Sequence, residues 1–289
     1  MEFRKGALLI LQPSIKAAIA LSLISVSAAS AQVDIVLDQD KFVDRLGDRE
    51  SSFLALDLTT GQRCLLEGSD LEKRYPPWST FKIPNTIIGL EADAATSIDH
   101  WRDWDSVSRP AEAYWPEAWR QGQTLRSAFQ RSSAWYFQDL ALDVGAERYR
   151  EDLQDWGYGN ANVPDGHDSF WLGGPLKVSV TEKVHFLKNL LTGEFTVKEG
   201  HIADLIEISR VGHFGSFTLH GKTGSGPVRP GEFSGAFEGW YAGWLMQDEK
   251  ALVTFAHHVH GDNFESIRTF RLDFAETLLA ACGMNDDES

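Results

Sequence analysis

Ser79 and Lys82 are the residues of this sequence whose types and spacing could do covalent chemistry. Positions three residues apart on a helix share one face, with Cβ atoms about 5–6 Å apart, so a hydroxyl and an amine can meet there. An uncharged or modified amine can take the hydroxyl proton and leave a nucleophile. Pro76, Pro77 and Pro84 predict that Ser79 lies close to a helix N-terminus, where free N–H groups favour negative charge. Ser-x-x-Lys alone remains a common pattern on solvated helix faces.

Two basic residues could hold an anionic substrate near this serine. Lys222 lies in a Gly-Lys-Thr sequence that resembles the end of a phosphate-binding loop, but that loop needs a glycine where Ser216 stands and a helix where Ser-Gly-Pro follows. A fixed cation on a strand is the better interpretation. Arg271 lies about 40° from Ile267 on the last predicted helix, at the edge of its apolar stripe, and Arg268 lies further round. A half-buried arginine needs an anion, which is either a substrate carboxylate or an acidic side chain.

A metal site and an α/β-hydrolase site find less support. His258 and His260 share one face of a predicted strand, next to His257. No zinc motif such as His-Glu-x-x-His is present, so we expect no metal. No serine lies in a Gly-x-Ser-x-Gly elbow, which argues against an α/β-hydrolase.

The elements that must position these residues follow a simple order along the chain. Strands are predicted at residues 53–58, 64–66, 217–221, 240–246 and 251–259. Helices are predicted from Ser79 on, at residues 127–142 and 146–156, from a capping box at Ser179 on, and along an apolar stripe of Ile267, Phe270, Phe274 and Leu278. Early and late strands with helices between them predict an α+β fold with an inserted helical region.

The N-terminal segment has the features of a secretory signal peptide. Arg4, Lys5 and Lys16 precede a short apolar run at residues 17–28, and Ala-Ser-Ala ending at Ala31 is a small-x-small cleavage site. We expect removal of residues 1–31 and a periplasmic or secreted location. The remaining chain is predicted to be a single domain, residues 32–289, with a sheet part at about 32–78 and 215–289 and a helical part at about 79–214.

Charge and cysteine content limit the partners and the compartment. The formal net charge of −15 argues against nucleic acid and against anionic membranes as partners. The two cysteines, Cys64 and Cys282, could form a disulfide in an oxidising compartment or could be two small buried apolar residues. The sequence leaves these alternatives open.

Five motifs follow one another along the chain: Ser79-Thr80-Phe81-Lys82, Ser132, Tyr158-Gly159-Asn160, Phe170-Trp171-Leu172 and Lys222-Thr223-Gly224. In this order they resemble the class D (oxacillinase-type) serine β-lactamases over nearly the whole mature chain. Tyr-Gly-Asn separates this class from class A, which has Ser-Asp-Asn. Two residues depart from the family pattern. Ala134 replaces a valine that packs over the active-site lysine, which predicts weaker shielding of Lys82, and Trp78 replaces a smaller residue, which predicts a different entry to the cleft.

The resemblance implies a fold and a set of roles. The fold is that of serine β-lactamases and penicillin-binding transpeptidases, an antiparallel sheet flanked by terminal helices. Ser79 is the nucleophile, Lys82 bears CO2 as a carbamate and acts as the base with no other cofactor, and Trp171 donates a hydrogen bond to that carbamate. The remaining implied roles are proton relay for Ser132, the oxyanion hole for the backbone N–H groups of Ser79 and Ser225, and substrate binding for Trp119, Tyr158, Asn160, Lys222, Thr223, Gly224 and Arg271.

Three functions use these parts. The first is hydrolysis of a small-molecule β-lactam by a monomer or homodimer that is free of the membrane after signal cleavage. The second is a penicillin-binding D-alanyl-D-alanine peptidase, against which Tyr-Gly-Asn and Trp171 count. The third is a β-lactam sensor that becomes acylated and stays so; such sensors are attached to a large membrane portion, whereas this chain shows only a signal peptide.

Overall fold

The structure, a computed structural model, describes Met1 and residues 33–285. The predicted signal peptide and its cleavage site therefore lie, except for Met1, outside the described residues. A seven-stranded sheet runs through the middle of the described domain, with strand order β1-β3-β2-β9-β8-β7-β6. Its strands are β1 (Ile35–Leu37), β2 (Glu50–Asp57), β3 (Arg63–Leu66), β6 (Arg210–Phe214), β7 (Phe217–Pro227), β8 (Phe237–Gln247) and β9 (Lys250–Gly261), and a separate two-stranded sheet is formed by β4 (Trp101–Arg102) and β5 (Gln123–Thr124).

The helices lie before, between and after these strands. They are α1 (Val43–Leu46), α2 (Lys82–Glu91), α3 (Leu125–Gln130), α4 (Ala134–Val144), α5 (Ala146–Asp155), α6 (Val180–Leu191), α7 (Glu199–Ser209), α8 (Phe264–Arg268) and α9 (Phe270–Ala281). The Ser179 capping box is present at the start of α6, where Ser179 and Glu182 each bond the other's backbone N–H. The predicted α+β order, with helices inserted between early and late strands, is confirmed.

Side-chain alternation along the strands divides the interior into two cores. On β2, Leu54 faces the inserted helices and Phe53 faces the terminal helices. On β8, Trp240 faces the inserted helices and Tyr241 faces the terminal helices. Because successive strand residues point to opposite faces, two buried faces produce these nearly continuous apolar strands. The sheet is therefore covered on both sides, and the inserted helices α2 to α7 pack on the face that carries the candidate site.

The structure corrects three details of the predicted fold. The sheet is mixed, because β1 pairs parallel to β3. The sheet part resumes at Arg210 with β6 rather than at residue 215. The helix predicted at residues 127–142 is two helices, since Ser132 between α3 and α4 has a φ of 59°, which no α-helix accommodates.

Cys64 on β3 and Cys282 after α9 form a disulfide, with Cα atoms 6.0 Å apart. This outcome resolves the alternative that the sequence left open. The bond joins the terminal helix to the sheet across the second core. Within the described residues, no helix combines the length and apolarity that a bilayer crossing requires.

Candidate active site

Ser79 lies in a one-turn 3₁₀ helix, Trp78–Phe81, that runs directly into α2. Pro77 precedes this turn and Pro84 lies in the first turn of α2, so the backbone begins the helix where the prolines predict it. Lys82 Nζ lies 3.2 Å from Ser79 Oγ, which is hydrogen-bonding distance. Ser79 is partly exposed, so the hydroxyl is both accessible and in contact with an amine.

Lys82 is fully buried, with 0% of its surface exposed. Burial lowers its pKa well below the ordinary lysine value, and the nearby charge of Lys222 lowers it further. The ring of Phe137 lies 5.0 Å from Nζ. On α4, Phe137 covers this lysine, and whether Ala134 shields Lys82 less well than a valine stays a prediction. A buried lysine held neutral in this way can accept a proton or react with an electrophile such as CO2.

The Lys-Thr-Gly strand β7 packs directly against the nucleophile turn. A Cβ atom at Gly224 would lie 2.9 Å from Ser79 N and 3.0 Å from Pro77 O, so only glycine permits this approach. Lys222 is buried, and desolvation together with the charge of Arg271 lowers its pKa to about 7. Thr223 and Ser225 are partly exposed on the same strand. Ser225 pairs with Gly239 of β8, which fixes the backbone position predicted for the oxyanion hole.

Arg271, rather than Arg268, reaches this strand. The apolar stripe of the last predicted helix is divided at Thr269, between α8 and α9. Arg271 is 8% exposed, and its Nη1 donates to Gly224 O at 3.2 Å. Desolvation lowers its pKa to about 10, with a further contribution from Arg268. Arg268 is on the surface, 3.6 Å from Glu265.

The turn that carries Ser132, between α3 and α4, is flanked by two aromatic residues that contact the site lysines. Phe129 on α3 has its ring 6.0 Å from Lys222 Nζ, and Phe137 on α4 covers Lys82. Ser132 lies between these two rings in sequence and is partly exposed. Trp119, also partly exposed, is held beside this turn because its Nε1–H donates to Arg131 O at 2.8 Å.

Trp171 is buried behind the nucleophile turn with an unused hydrogen-bond donor. Its ring stacks on Phe81 at 5.3 Å, and its carbonyl accepts from the N–H of Trp78 at 3.1 Å. Its Nε1 is buried and has no hydrogen-bond partner in the structure. Buried donors are normally paired, so this indole calls for an acceptor. A carbamate on Lys82 would add carboxylate oxygens, which are strong acceptors, on the residue that follows the nucleophile turn.

Tyr158 and Asn160 make contacts of another kind, one in packing and the other in holding a loop. Tyr158 is 1% exposed, with its ring 5.9 Å from Phe81 and 5.0 Å from Phe186. The Asn160 side chain donates to Pro175 O at 2.9 Å and accepts from Lys177 N at 2.9 Å. Asn160 therefore braces the loop that carries Trp171, whereas Tyr158 packs between the nucleophile turn and α6. Their substrate contacts stay a prediction.

Sequence reasoning missed a second buried lysine at the back of the nucleophile turn. Lys183 on α6 is 2% exposed, and its Nζ donates to Thr80 Oγ1 at 2.7 Å. Burial lowers its pKa well below the ordinary lysine value. Its position in the α6 stripe was the available signal, since residue 183 lies about 40° from Leu187 and is next to Val184 in the chain. Among the described residues, no group of His, Cys, Asp and Glu side chains could hold a metal ion.

Comparison with known proteins agrees with this geometry. The profile of the penicillin binding protein transpeptidase domain family matches residues 51–270. The chain is 31% identical over 232 residues to the probable β-lactamase YbxI of Bacillus subtilis, covering 79% of this chain and 82% of that protein.

Solved structures extend the similarity to nearly the whole domain. The class D β-lactamase FUS-1 of Fusobacterium nucleatum subsp. polymorphum superposes with a TM-score of 0.75 at 25% identity, covering 86% of this chain and 98% of that one. The C-terminal domain of the Bacillus licheniformis BlaR penicillin-receptor gives a TM-score of 0.77 at 26% identity, covering 89% and 99%. With Ser79, Lys82 and the Lys-Thr-Gly strand assembled in one place, the chain belongs to the penicillin-binding transpeptidase fold family and, within it, to the class D serine β-lactamases.

Proposed function

We propose that the protein hydrolyses β-lactams through an acyl-enzyme on Ser79, with a carboxylated Lys82 as general base. The observation that carries the proposal is the 3.2 Å contact between Ser79 Oγ and Lys82 Nζ, made by a lysine that is fully buried. A lysine kept neutral by burial is the form that combines with CO2. When present, the carbamate supplies a carboxylate base at the nucleophile.

The remaining steps use the chain's own groups. Ser79 attacks the lactam carbonyl, and the backbone N–H groups of Ser79 and Ser225 stabilise the oxyanion. Ser132 passes a proton to the lactam nitrogen as the ring opens. Lys222 and Arg271 attract the substrate carboxylate, with Thr223 as a further hydrogen-bond donor. Trp119 forms a wall of the cleft.

The buried cations suit an anionic substrate in an acidic protein. Lys222 and Arg271 are 7% and 8% exposed; burial lowers the pKa of each, and the charge of Arg271 lowers the pKa of Lys222 further. Two desolvated cations near one strand repel each other. A carboxylate that binds between them offsets this repulsion. The overall charge of −15 makes this local positive site the feature that attracts the substrate.

A β-lactam sensor is the second candidate, because the BlaR penicillin-receptor domain superposes over 89% of this chain. Sensor and hydrolase share acylation and differ only in whether the acyl group leaves. A D-alanyl-D-alanine peptidase is the third candidate, since the matching family is named for the transpeptidase domain.

A steady-state assay with a chromogenic cephalosporin separates these functions. We expect continued turnover that Ser79→Ala abolishes. A burst of one equivalent followed by no turnover would identify a sensor. Hydrolysis of a D-alanyl-D-alanine peptide without turnover of the cephalosporin would identify a peptidase.

We also propose export to the periplasm or medium, with cleavage after Ala31. The mass of the exported protein should correspond to a chain that begins at Gln32. A retained Met1 would contradict this location. Whether the mature protein is a monomer or a homodimer stays a prediction that sedimentation can test.

A further inference from the structure

Trp78, immediately before the nucleophile, has a backbone conformation that its side chain disfavours. Its φ is 49°, in the left-handed region that bulky residues rarely adopt. A residue stays in such a conformation only where its surroundings over-determine it. The conformation of Trp78 sets the direction in which the chain enters the Ser79 turn. The contacts that hold Trp78 therefore also determine where Ser79 Oγ points.

Two hydrogen bonds and two glycines hold Trp78. Its backbone N–H donates to Trp171 O at 3.1 Å, which ties the nucleophile turn to the loop behind it. Its indole Nε1–H donates to Glu238 Oε1 at 2.9 Å. The benzene part of the ring lies close to Gly226 and Gly173, where an added Cβ would come within 2.1 and 2.8 Å of it.

Glu238 is a buried carboxylate, 6% exposed, on β8. Its Oε2 lies 3.6 Å from His258 Nε2, and the His258 ring stacks on Tyr75 at 3.8 Å. A buried acid is costly unless its oxygens are paired, so Glu238 is matched specifically to the Trp78 indole and the His258 ring. Gly239, the next residue, pairs with Ser225. The acid therefore lies on the strand segment that also fixes the predicted oxyanion hole.

Packing alone does not fix the indole. A cavity of about 390 Å³ lies against Trp78 and Glu238, and its wall includes Gly173, Lys177 and Pro227. A ring that borders a cavity has room to shift on that side, unlike a ring in a close-packed core. The hydrogen bond to Glu238 is then the directional contact on the indole, beside the backbone bond to Trp171 O, that holds Trp78 in its left-handed conformation.

We propose that Glu238 is a positioning residue for Ser79, acting through the indole of Trp78. This inference rests on the proposed function of Ser79 as the acylated nucleophile. An ordinary structural hydrogen bond would stabilise the fold without affecting acylation. A positioning bond changes the acylation rate of protein that is already folded.

The test measures the rate constant for acylation of Ser79 by a chromogenic cephalosporin in rapid-mixing experiments, together with Tm. Trp78→Phe keeps an aromatic ring but loses the indole N–H together with the pyrrole part of the indole, and Glu238→Met keeps the side-chain length and loses the acceptor. Glu238→Gln keeps an oxygen that can accept from the indole. Trp104→Phe is the matched control, because it removes another tryptophan N–H bond, to Arg109 O at 2.8 Å, outside the site.

We expect Trp78→Phe and Glu238→Met each to lower the acylation rate constant at least tenfold, since small misplacement of a reacting group is costly. Their double variant should be no slower than the slower single variant, because both remove one bond. The acylation rate constant of Glu238→Gln should stay within threefold of the wild-type value. The acylation rate constant of Trp104→Phe should equal the wild-type value.

The opposite results overturn the proposal. Variants with a lower Tm but wild-type acylation rate constants would make the bond purely structural. Additive losses in the double variant would mean that the two residues act separately. If Glu238→Met does not fold, the acylation rate constant of Trp78→Phe alone tests the proposal. A wild-type enzyme that takes up no acyl group would overturn the proposed function and this inference together, whereas normal acylation in Trp78→Phe would overturn only the inference.

Discussion

The unpaired indole of Trp171 is the residue-scale feature most directly linked to the chemistry. Its Nε1–H is buried and unpartnered beside the turn that carries a fully buried Lys82. A hydrogen bond to a charged acceptor contributes about 1.5–3 kcal/mol. Removing the donor should therefore weaken carbamate formation by about 10-fold to 100-fold.

We accordingly expect Trp171→Phe to need much more bicarbonate for turnover than the wild type. Labelled CO2 should give a weaker carbamate carbon signal by NMR at equal bicarbonate. Trp244→Phe is the matched control, since Trp244 Nε1 is also buried without a partner but its ring stacks on His220. Equal bicarbonate dependence in the two variants would contradict a role for the Trp171 indole, and rates independent of bicarbonate in the wild type would mean that Lys82 acts as a plain amine.

The lowered pKa of Lys222 predicts that the acylation rate depends on pH. Its pKa is lowered to about 7, so the free enzyme loses this charge as the pH rises through 7, whereas Arg271, with a pKa of about 10, keeps its charge. An anionic substrate binds the protonated form better. The second-order acylation rate constant at saturating bicarbonate should therefore fall, by about tenfold between pH 7 and pH 9.

The methyl ester of the same penicillin is the control for this titration, because it lacks the carboxylate. Its acylation rate should change little over the same range. An equal fall for acid and ester would assign the pH dependence to another group. A flat profile for the acid would mean that Lys222 does not carry the carboxylate interaction.

At the scale of elements, the division of the last helix at Thr269 determines which arginine serves the site. Arg271 on α9 donates to Gly224 O, while Arg268 on α8 pairs with Glu265 at the surface. Arg271→Ala should raise KM for penicillins by about 10-fold to 100-fold, as expected for loss of a charge-assisted hydrogen bond. Arg268→Ala should leave KM unchanged. The reverse pattern in steady-state kinetics would show that the substrate carboxylate lies elsewhere.

Regular elements were predictable from the sequence, and the points where they break were not. Apolar runs identified β8 and β9, and the Ser179–Glu182 box identified the start of α6, because these signals are local. The break at Ser132 was missed because a serine with φ of 59° carries no local signal. The contacts of Trp78 with Glu238 and of Lys183 with Thr80 join residues 160 and 103 positions apart, so only tertiary packing could reveal them.

At the scale of the whole molecule, the disulfide joins β3 to the end of the chain. It spans 218 residues and lies in the core opposite the site. Replacing both cysteines with alanine should cost about 2–5 kcal/mol of unfolding free energy and lower Tm by about 5–15 °C. Turnover at 25 °C should be unchanged. Calorimetry measures the change in Tm, and the hydrolysis assay measures turnover. An unchanged Tm with lower turnover would contradict the prediction that the disulfide stabilises the fold without affecting the site.

The same bond closes the chain into a covalent ring. Ser79, Ser132, Trp171, Lys222 and Arg271 all lie between Cys64 and Cys282, so every proposed catalytic group belongs to the ring. A protease that cuts an exposed loop within it, such as the stretch around Gly231, opens the ring without releasing a fragment. The cut protein should migrate as two pieces only after reduction. Both parts of the cleft would stay tethered to each other after such a cut.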